Sequence, residues 1–214
     1  MAKKWEYFYP YVQPYVPGCP EMVMDAHLQE AASVFCARSE VWRVSIGPEF
    51  TSNNVADYEV DLTRNAVLEN ILFLRLDGRE MEHVSDRHFA PAVYAAGDPV
   101  KGMPVRFSVI EDSTVRMYPT PTKKHTFVGE AVLKPKLSAT GVEDFIFESH
   151  GRSIALGAVA RITEIPNKEW SNLEVSMKHS MEFERRMCAA KGRETRRVNL
   201  KVAPVGFTDV SRRR

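Results

Sequence analysis

The chain has 214 residues, enough to bury a real core as one large or two small domains. Its 44% apolar and 27% charged residues are ordinary globular values, and a formal net charge of +1 excludes a global pull toward nucleic acid or membrane. Cys19, Cys36 and Cys188 are too few and too odd in number for a disulfide framework. No segment has the run of ~18–20 apolar residues that spans a bilayer, so the expectation is a soluble protein made in the cytosol.

Residues 1–19, "MAKKWEYFYPYVQPYVPGC", carry Pro10, Pro14 and Pro17. Proline in this density predicts an extended, polyproline-like arm. Trp5, Tyr7, Phe8, Tyr9, Tyr11 and Tyr15 are unsuited to open water, so the arm is expected either to wrap its own domain or to contact a neighbouring subunit or partner.

A helix is predicted from about Pro20 to Arg43, with Met24, Leu28, Ala31, Ala32, Phe35 and Trp42 forming one apolar stripe and Gly47-Pro48 stopping it. From about 50 to 138 the period falls to two. "YEVDL" (58–62) and "NILFLRLDGREMEHV" (70–84) alternate, with Asp77-Gly78 as a two-residue hairpin turn. "VRFSVIEDSTVRMYP" (105–119) reads as a second hairpin around Glu111-Asp112, and "TFVGEAVLKPK" (126–136) as a further strand. The prediction is a small antiparallel sandwich or barrel.

Helical signals return with capping boxes at Thr140–Glu143 and Ser171–Glu174. One helix is predicted over about 141–164, where Gly157, Ala158 and Ala160 permit close packing, ended by Pro166. A second is predicted over about 171–191, with Leu173, Met177, Met181 and Cys188 inward, Lys178, Glu182, Arg185 and Arg186 outward, and Gly192 as a C-terminal cap. The fold class is α+β. Residues 20–48 and 139–192 form a helical bundle, 49–138 an inserted β domain, 1–19 an N-terminal arm, and 193–214 an extended basic C-terminal arm.

Catalytic constellations do not emerge. Phosphate-binding loops, nucleotide-binding glycine patterns, the Gly-x-Ser-x-Gly elbow and the His-Glu-x-x-His metal motif are all missing from the sequence. His83 and His88 flank Asp86 in "HVSDRH" but need a third ligand from elsewhere to hold a metal. The reading is non-enzymatic, with no catalytic residues, no metal and no cofactor. Binding features are richer. Residues 191–214 hold eight Lys or Arg against two Asp or Glu. Val198, Leu200 and Val202 alternate as in a strand able to add to another subunit's sheet edge. Arg193, Arg196, Arg197, Arg212, Arg213 and Arg214 are set to pair with carboxylates or phosphates, with Phe207 as an apolar anchor between the two groups.

The stretch "PGCPEMVMDAHLQEAASVFCARSEVWR" (17–43) resembles the opening of head-to-tail adaptor proteins of tailed, podovirus-like bacteriophages. The matching features are the Pro17-Gly18-x-Pro20 turn, an Ala-rich helix with Ala31, Ala32 and the Phe35-Cys36 pair, and Trp42 near its end. The likeness continues in "LDGREM" (76–81), "ALGAVARI" (155–162), and Trp170 ahead of a helix carrying Phe183. It spans most of 17 to about 190; the β region matches only in pattern, and residues 1–16 and the far C-terminus do not match. The resemblance implies a structural virion protein at the head–tail interface. Such proteins form a ring, usually of twelve copies, that binds the portal, extends the channel for double-stranded DNA without binding it specifically, and receives tail nozzle, tube and fibre proteins. It also implies that the segment after the last helix reaches into clefts between portal subunits. A tail-completion protein nearer the tail tube, and a stand-alone binding module built on the β insertion, are the alternatives.

Overall fold

The structure is a computed structural model, described here over residues 2–60, 62, 65–85, 100–110 and 113–202, with side chains described to residue 196. It is α+β, as the sequence predicts: three long helices surround and follow a run of strands.

The first surprise is the N-terminal arm. Strand β1 (Ala2–Lys4) leads into a 3-10 turn (Trp5–Phe8), a one-turn helix α1 (Tyr9–Val12) and a second 3-10 turn (Gln13–Tyr15). The expectation of an extended arm is therefore corrected. Pro10 and Pro14 each occupy the first or second position of a short helical segment, where the missing N–H has no acceptor to satisfy and a fixed φ is already helical.

Helix α2 (Glu21–Ser39) buries Met24, Leu28, Ala31, Ala32, Phe35 and Cys36, the predicted stripe. It stops before the predicted Arg43 because Glu40 adopts a left-handed conformation (φ 56°) and donates its N–H to the Cys36 carbonyl at 3.0 Å. Trp42 is buried, but beyond the helix, where its carbonyl accepts from Leu133 N–H at 2.8 Å. Gly47 and Pro48 do not stop a helix; they lie inside β2 (Arg43–Phe50).

The strands that follow are β3 (Asp57–Glu59), β4 (Ala66–Leu76), β5 (Arg79–Glu80), β6 (Glu82–His83), β7 (Lys101–Gly102), β8 (Arg106–Val109), β9 (Thr114–Tyr118), β10 (Thr120–Pro121), β11 (Thr126–Pro135) and β12 (Gly141–Glu143). One four-stranded antiparallel sheet has the order β2-β11-β4-β5, and a second has the order β3-β9-β8-β6. Two pairs, β6–β8 and β7–β10, are parallel, a departure from the all-antiparallel reading. No closed barrel forms among the described residues. The turn at Asp77-Gly78 is where it was predicted, both residues having positive φ (47° and 80°), the backbone a tight hairpin needs. The β8–β9 hairpin also forms, while its Glu111-Asp112 tip lies outside the described residues.

β1 and β12 pair antiparallel, Lys3 opposite Val142, and this replaces the capping box predicted at Thr140. Helix α3 (Asp144–Glu164) starts at the residue after β12, with Glu143 extended at its N-cap and no side-chain cap. Helix α4 (Leu173–Val202) is capped by Asn172, whose Oδ1 accepts Val175 N–H at 3.1 Å; Ser171, the predicted cap, instead accepts Lys168 N–H. α4 runs straight through Gly192. Residues 193–202 are thus helical, not an extended arm, and Val198, Leu200 and Val202 follow a helical path instead of a strand. Without a left-handed turn at Gly192, nothing in the local backbone ends the helix there.

The core is continuous across these elements. It takes in Phe8 and Val12 of the arm, Leu28 and Phe35 of α2, Leu74 and Leu133 of the first sheet, Ile146 and Ile154 of α3, and Phe183 of α4. α3 and α4 approach closely because Gly157 has no side chain: a Cβ there would lie 2.7 Å from the Phe183 ring.

Candidate functional site

The six aromatic residues of the arm divide sharply. Trp5, Phe8 and Tyr9 are buried in the chain's own core, whereas Tyr7 and Tyr15 are about half exposed. Trp5 Nε1–H donates to the Ala139 carbonyl at 2.8 Å, and Phe8 meets Phe147 edge-on at 4.9 Å. Tyr9 donates to Asp25 Oδ1 at 2.8 Å; burial first, and then this bond, push its hydroxyl well above the usual tyrosine range. Tyr11 lies beneath the Arg152 guanidinium and Tyr15 stands edge-on to His179. Of the two roles expected for this arm, wrapping its own domain accounts for its buried members. Only Tyr7, Tyr11 and Tyr15 keep surface for anything else.

The basic residues of the C-terminus also divide. Arg193 and Arg196 stand on the last described turns of α4. Arg197 shares the helical backbone, and Phe207, Arg212, Arg213 and Arg214 lie outside the described residues. The helix is tethered to α2 by Lys191 Nζ–Glu40 Oε1 at 2.9 Å and by Arg38–Glu184 at 2.7 Å. Nearer its middle, Arg185 and Arg186 both donate to Glu182, whose carboxyl is held down at about 2 by those two hydrogen bonds. His150 of α3 is held below its usual range, first by burial and then by the charge of Arg193.

The inward face of α4 is not the predicted one. Ser176, His179, Phe183, Met187 and Ala190 are buried, whereas Leu173, Met177 and Met181 are 67%, 60% and 73% exposed and Cys188 is exposed too. Two apolar rows compete along this helix, and spacing alone chose the one with more methionine. Phe183 decides the packing because it fits the gap over Gly157.

A cleft of about 310 Å³ lies between the two four-stranded sheets. Ile46, Leu74, Val115 and Phe127 form an apolar floor; Phe50, Tyr58, Glu49 and Glu59 line its sides. Among the described residues no histidine, lysine or cysteine lines it, and the ionisable groups that do are two carboxylates and a phenol. Tyr58 already uses its hydroxyl on the Val55 carbonyl at 2.7 Å.

Elsewhere, His125 Nδ1 and Asp77 Oδ2 lie 2.6 Å apart, and Asp77 Oδ1 accepts Thr126 N–H at 2.9 Å. These contacts lace the β4–β5 turn to β11 and hold the Asp77 carboxyl below the usual aspartate range. Burial pushes the Cys36 thiol up to about 12, leaving it protonated at neutral pH and unreactive as a thiolate. His83 stacks on Phe107, and His88 lies outside the described residues. Among the described residues no three metal-ligating side chains converge, and no helix is long and apolar enough to cross a membrane. No family model matches this chain, and a search of curated proteins finds no relative.

Proposed function

We propose that this chain is a structural virion component, a head-to-tail adaptor that joins a portal to a tail and extends the DNA channel as a ring of identical copies. The observation that supports this reading is that residues of the motifs that resemble such adaptors fall in one core. Ala31, Ala32, Phe35, Cys36 and Trp42 are buried together, and Gly157 of "ALGAVARI" receives Phe183. Residues matched for packing reasons are those a common architecture would keep. The composition of α4 agrees with an anchoring role: its last eighteen residues, 185–202, hold seven Lys or Arg against one Glu. Cations along a helix, followed in sequence by Arg212, Arg213 and Arg214, suit carboxylate-lined clefts on a partner.

The test is truncation. Ala190 is the last buried residue described and 193–196 are not buried, so deleting 193–214 keeps every described core residue. The shortened chain is expected to melt within a few degrees of the full one and to lose co-sedimentation with portal rings. Undiminished co-sedimentation would refute the anchor. The apolar cleft between the sheets favours a second reading, a stand-alone binding module. That reading predicts a saturable small ligand or peptide perturbing Tyr58 and Phe127, with no portal involved.

A further inference from the structure

We infer that the cleft between the two sheets takes a short, extended peptide of alternating basic and apolar residues from a partner protein, paired with the open edge of β2. The backbone makes the first half of the case. β2 is the outer strand of one sheet and β3 the outer strand of the other, and residues of both line the cleft. In an antiparallel pair every second residue turns its N–H and C=O away from the neighbouring strand. Leu133 N–H donates to the Trp42 carbonyl and Thr51 N–H to the His125 carbonyl, which fixes that alternation at each end of β2. Ser45 and Phe50, both of which line the cleft, therefore direct their backbone groups away from β11. On β3 the same parity follows from Met117 N–H on the Ala56 carbonyl and Val60 N–H on the Ser113 carbonyl, and it frees the backbone of Glu59. Open strand edges are templates for a further strand. β3 has three residues and β2 eight, so β2 carries the pairing.

The side chains specify what that strand carries. Ile46, Leu74, Val115 and Phe127 make a buried apolar floor, and about 310 Å³ holds a few side chains and not a folded element. Glu49 comes from β2 and Glu59 from β3; both are exposed, and neither has an ion-pair partner among the described residues. Lys124 is engaged with the Phe50 ring, its Nζ 3.9 Å from the centroid. Two uncompensated carboxylates beside an apolar floor select arginine or lysine in a guest. An extended chain sends alternate side chains to opposite sides, so one strand can lay apolar groups on the floor and keep its cations at the rims. Pro48 has no N–H and interrupts the edge, which limits pairing to a short guest and works against a second β2 laid along the first. The inference rests on the binding-module reading of this cleft and names its partner class; the basic C-terminal anchor is a separate surface.

Fluorescence polarisation on the full chain with a labelled, end-blocked heptapeptide, Thr-Arg-Val-Arg-Val-Arg-Thr, should show saturable binding at about 10–100 μM. Glu49→Lys with Glu59→Lys should weaken it by about 10-fold or more, with an unchanged far-UV circular dichroism spectrum because both side chains are exposed. The same variant should gain binding to the peptide that carries glutamate in place of arginine. N-methylating one alternate set of the peptide's amides should abolish binding and N-methylating the other should leave most of it, because one edge of the guest faces β2. Any of four results overturns the proposal. These are no binding at about 1 mM peptide, binding that survives the lysine changes, equal tolerance of N-methylation in both sets, or arginine amide binding as well as the peptide does. The last would remove the added strand while sparing the binding-module reading, since it leaves a pocket for a small organic cation.

Discussion

Gly157 and Gly192 sit in helices and make opposite predictions. At Gly157 an added methyl meets the Phe183 ring, so Gly157→Ala should cost about 1–3 kcal/mol, read as a lowered Tm. At Gly192 nothing lies within 4 Å, and Gly192→Ala should stabilise α4 by roughly 0.5–1 kcal/mol. Equal effects at the two sites would mean that α3 and α4 do not pack as described. His150 supplies a pH signature. Its imidazole titrates below the ordinary histidine range when folded, so the unfolded chain binds more protons in that window. Stability should therefore fall as pH drops through the ordinary histidine pKa, until the lowered folded value is reached. A His150→Gln variant should flatten that part of a Tm-versus-pH curve; an unchanged slope would remove His150 as the cause. Asp77 acts lower on the scale. Its depressed carboxyl contributes above the ordinary aspartate range, and the contribution is lost as pH falls through the folded value.

Among the elements, what could be read in advance was what local chemistry decides. Asp77-Gly78 dictates a tight turn whatever surrounds it, and the stripe from Met24 to Cys36 leaves α2 one face to bury. Where two local solutions were open, distant residues chose. Helix α4 has two apolar rows, and only Gly157, on another helix, selects Phe183 over Met181. The arm has prolines compatible with either an extended path or short helical turns; burial of Phe8 and Val12 against α2 and α3 settles it. The basic C-terminal segment was legible as charge but not as shape, since Val198 to Val202 alternate in sequence yet follow a helix. The arm prediction follows. Phe8→Ala should cost about 3–5 kcal/mol, the range for a large buried ring, whereas Tyr7→Ala, half exposed, should cost well under 1 kcal/mol. Comparable losses at both positions would mean that the arm is not part of the core.

For the molecule as a whole, the ends of the sequence matter more than the middle. β1 is held by β12, across almost 140 residues, and the join is close: a Cβ on Gly141 would collide with the Lys3 carbonyl. Trp5 reinforces it through Ala139. α2, too, has its main partners in β11 and α3, both made long after it. A ribosome therefore emits the arm and α2 well before the segments that cover them. For most of synthesis the nascent chain must carry Phe8, Val12 and Phe35 uncovered, and it can close its core only once the residues around 140–160 have cleared the exit tunnel. Closure of this core should accordingly wait on residues 140–160, and be sensitive to holdase chaperones and to the pace of translation up to that point.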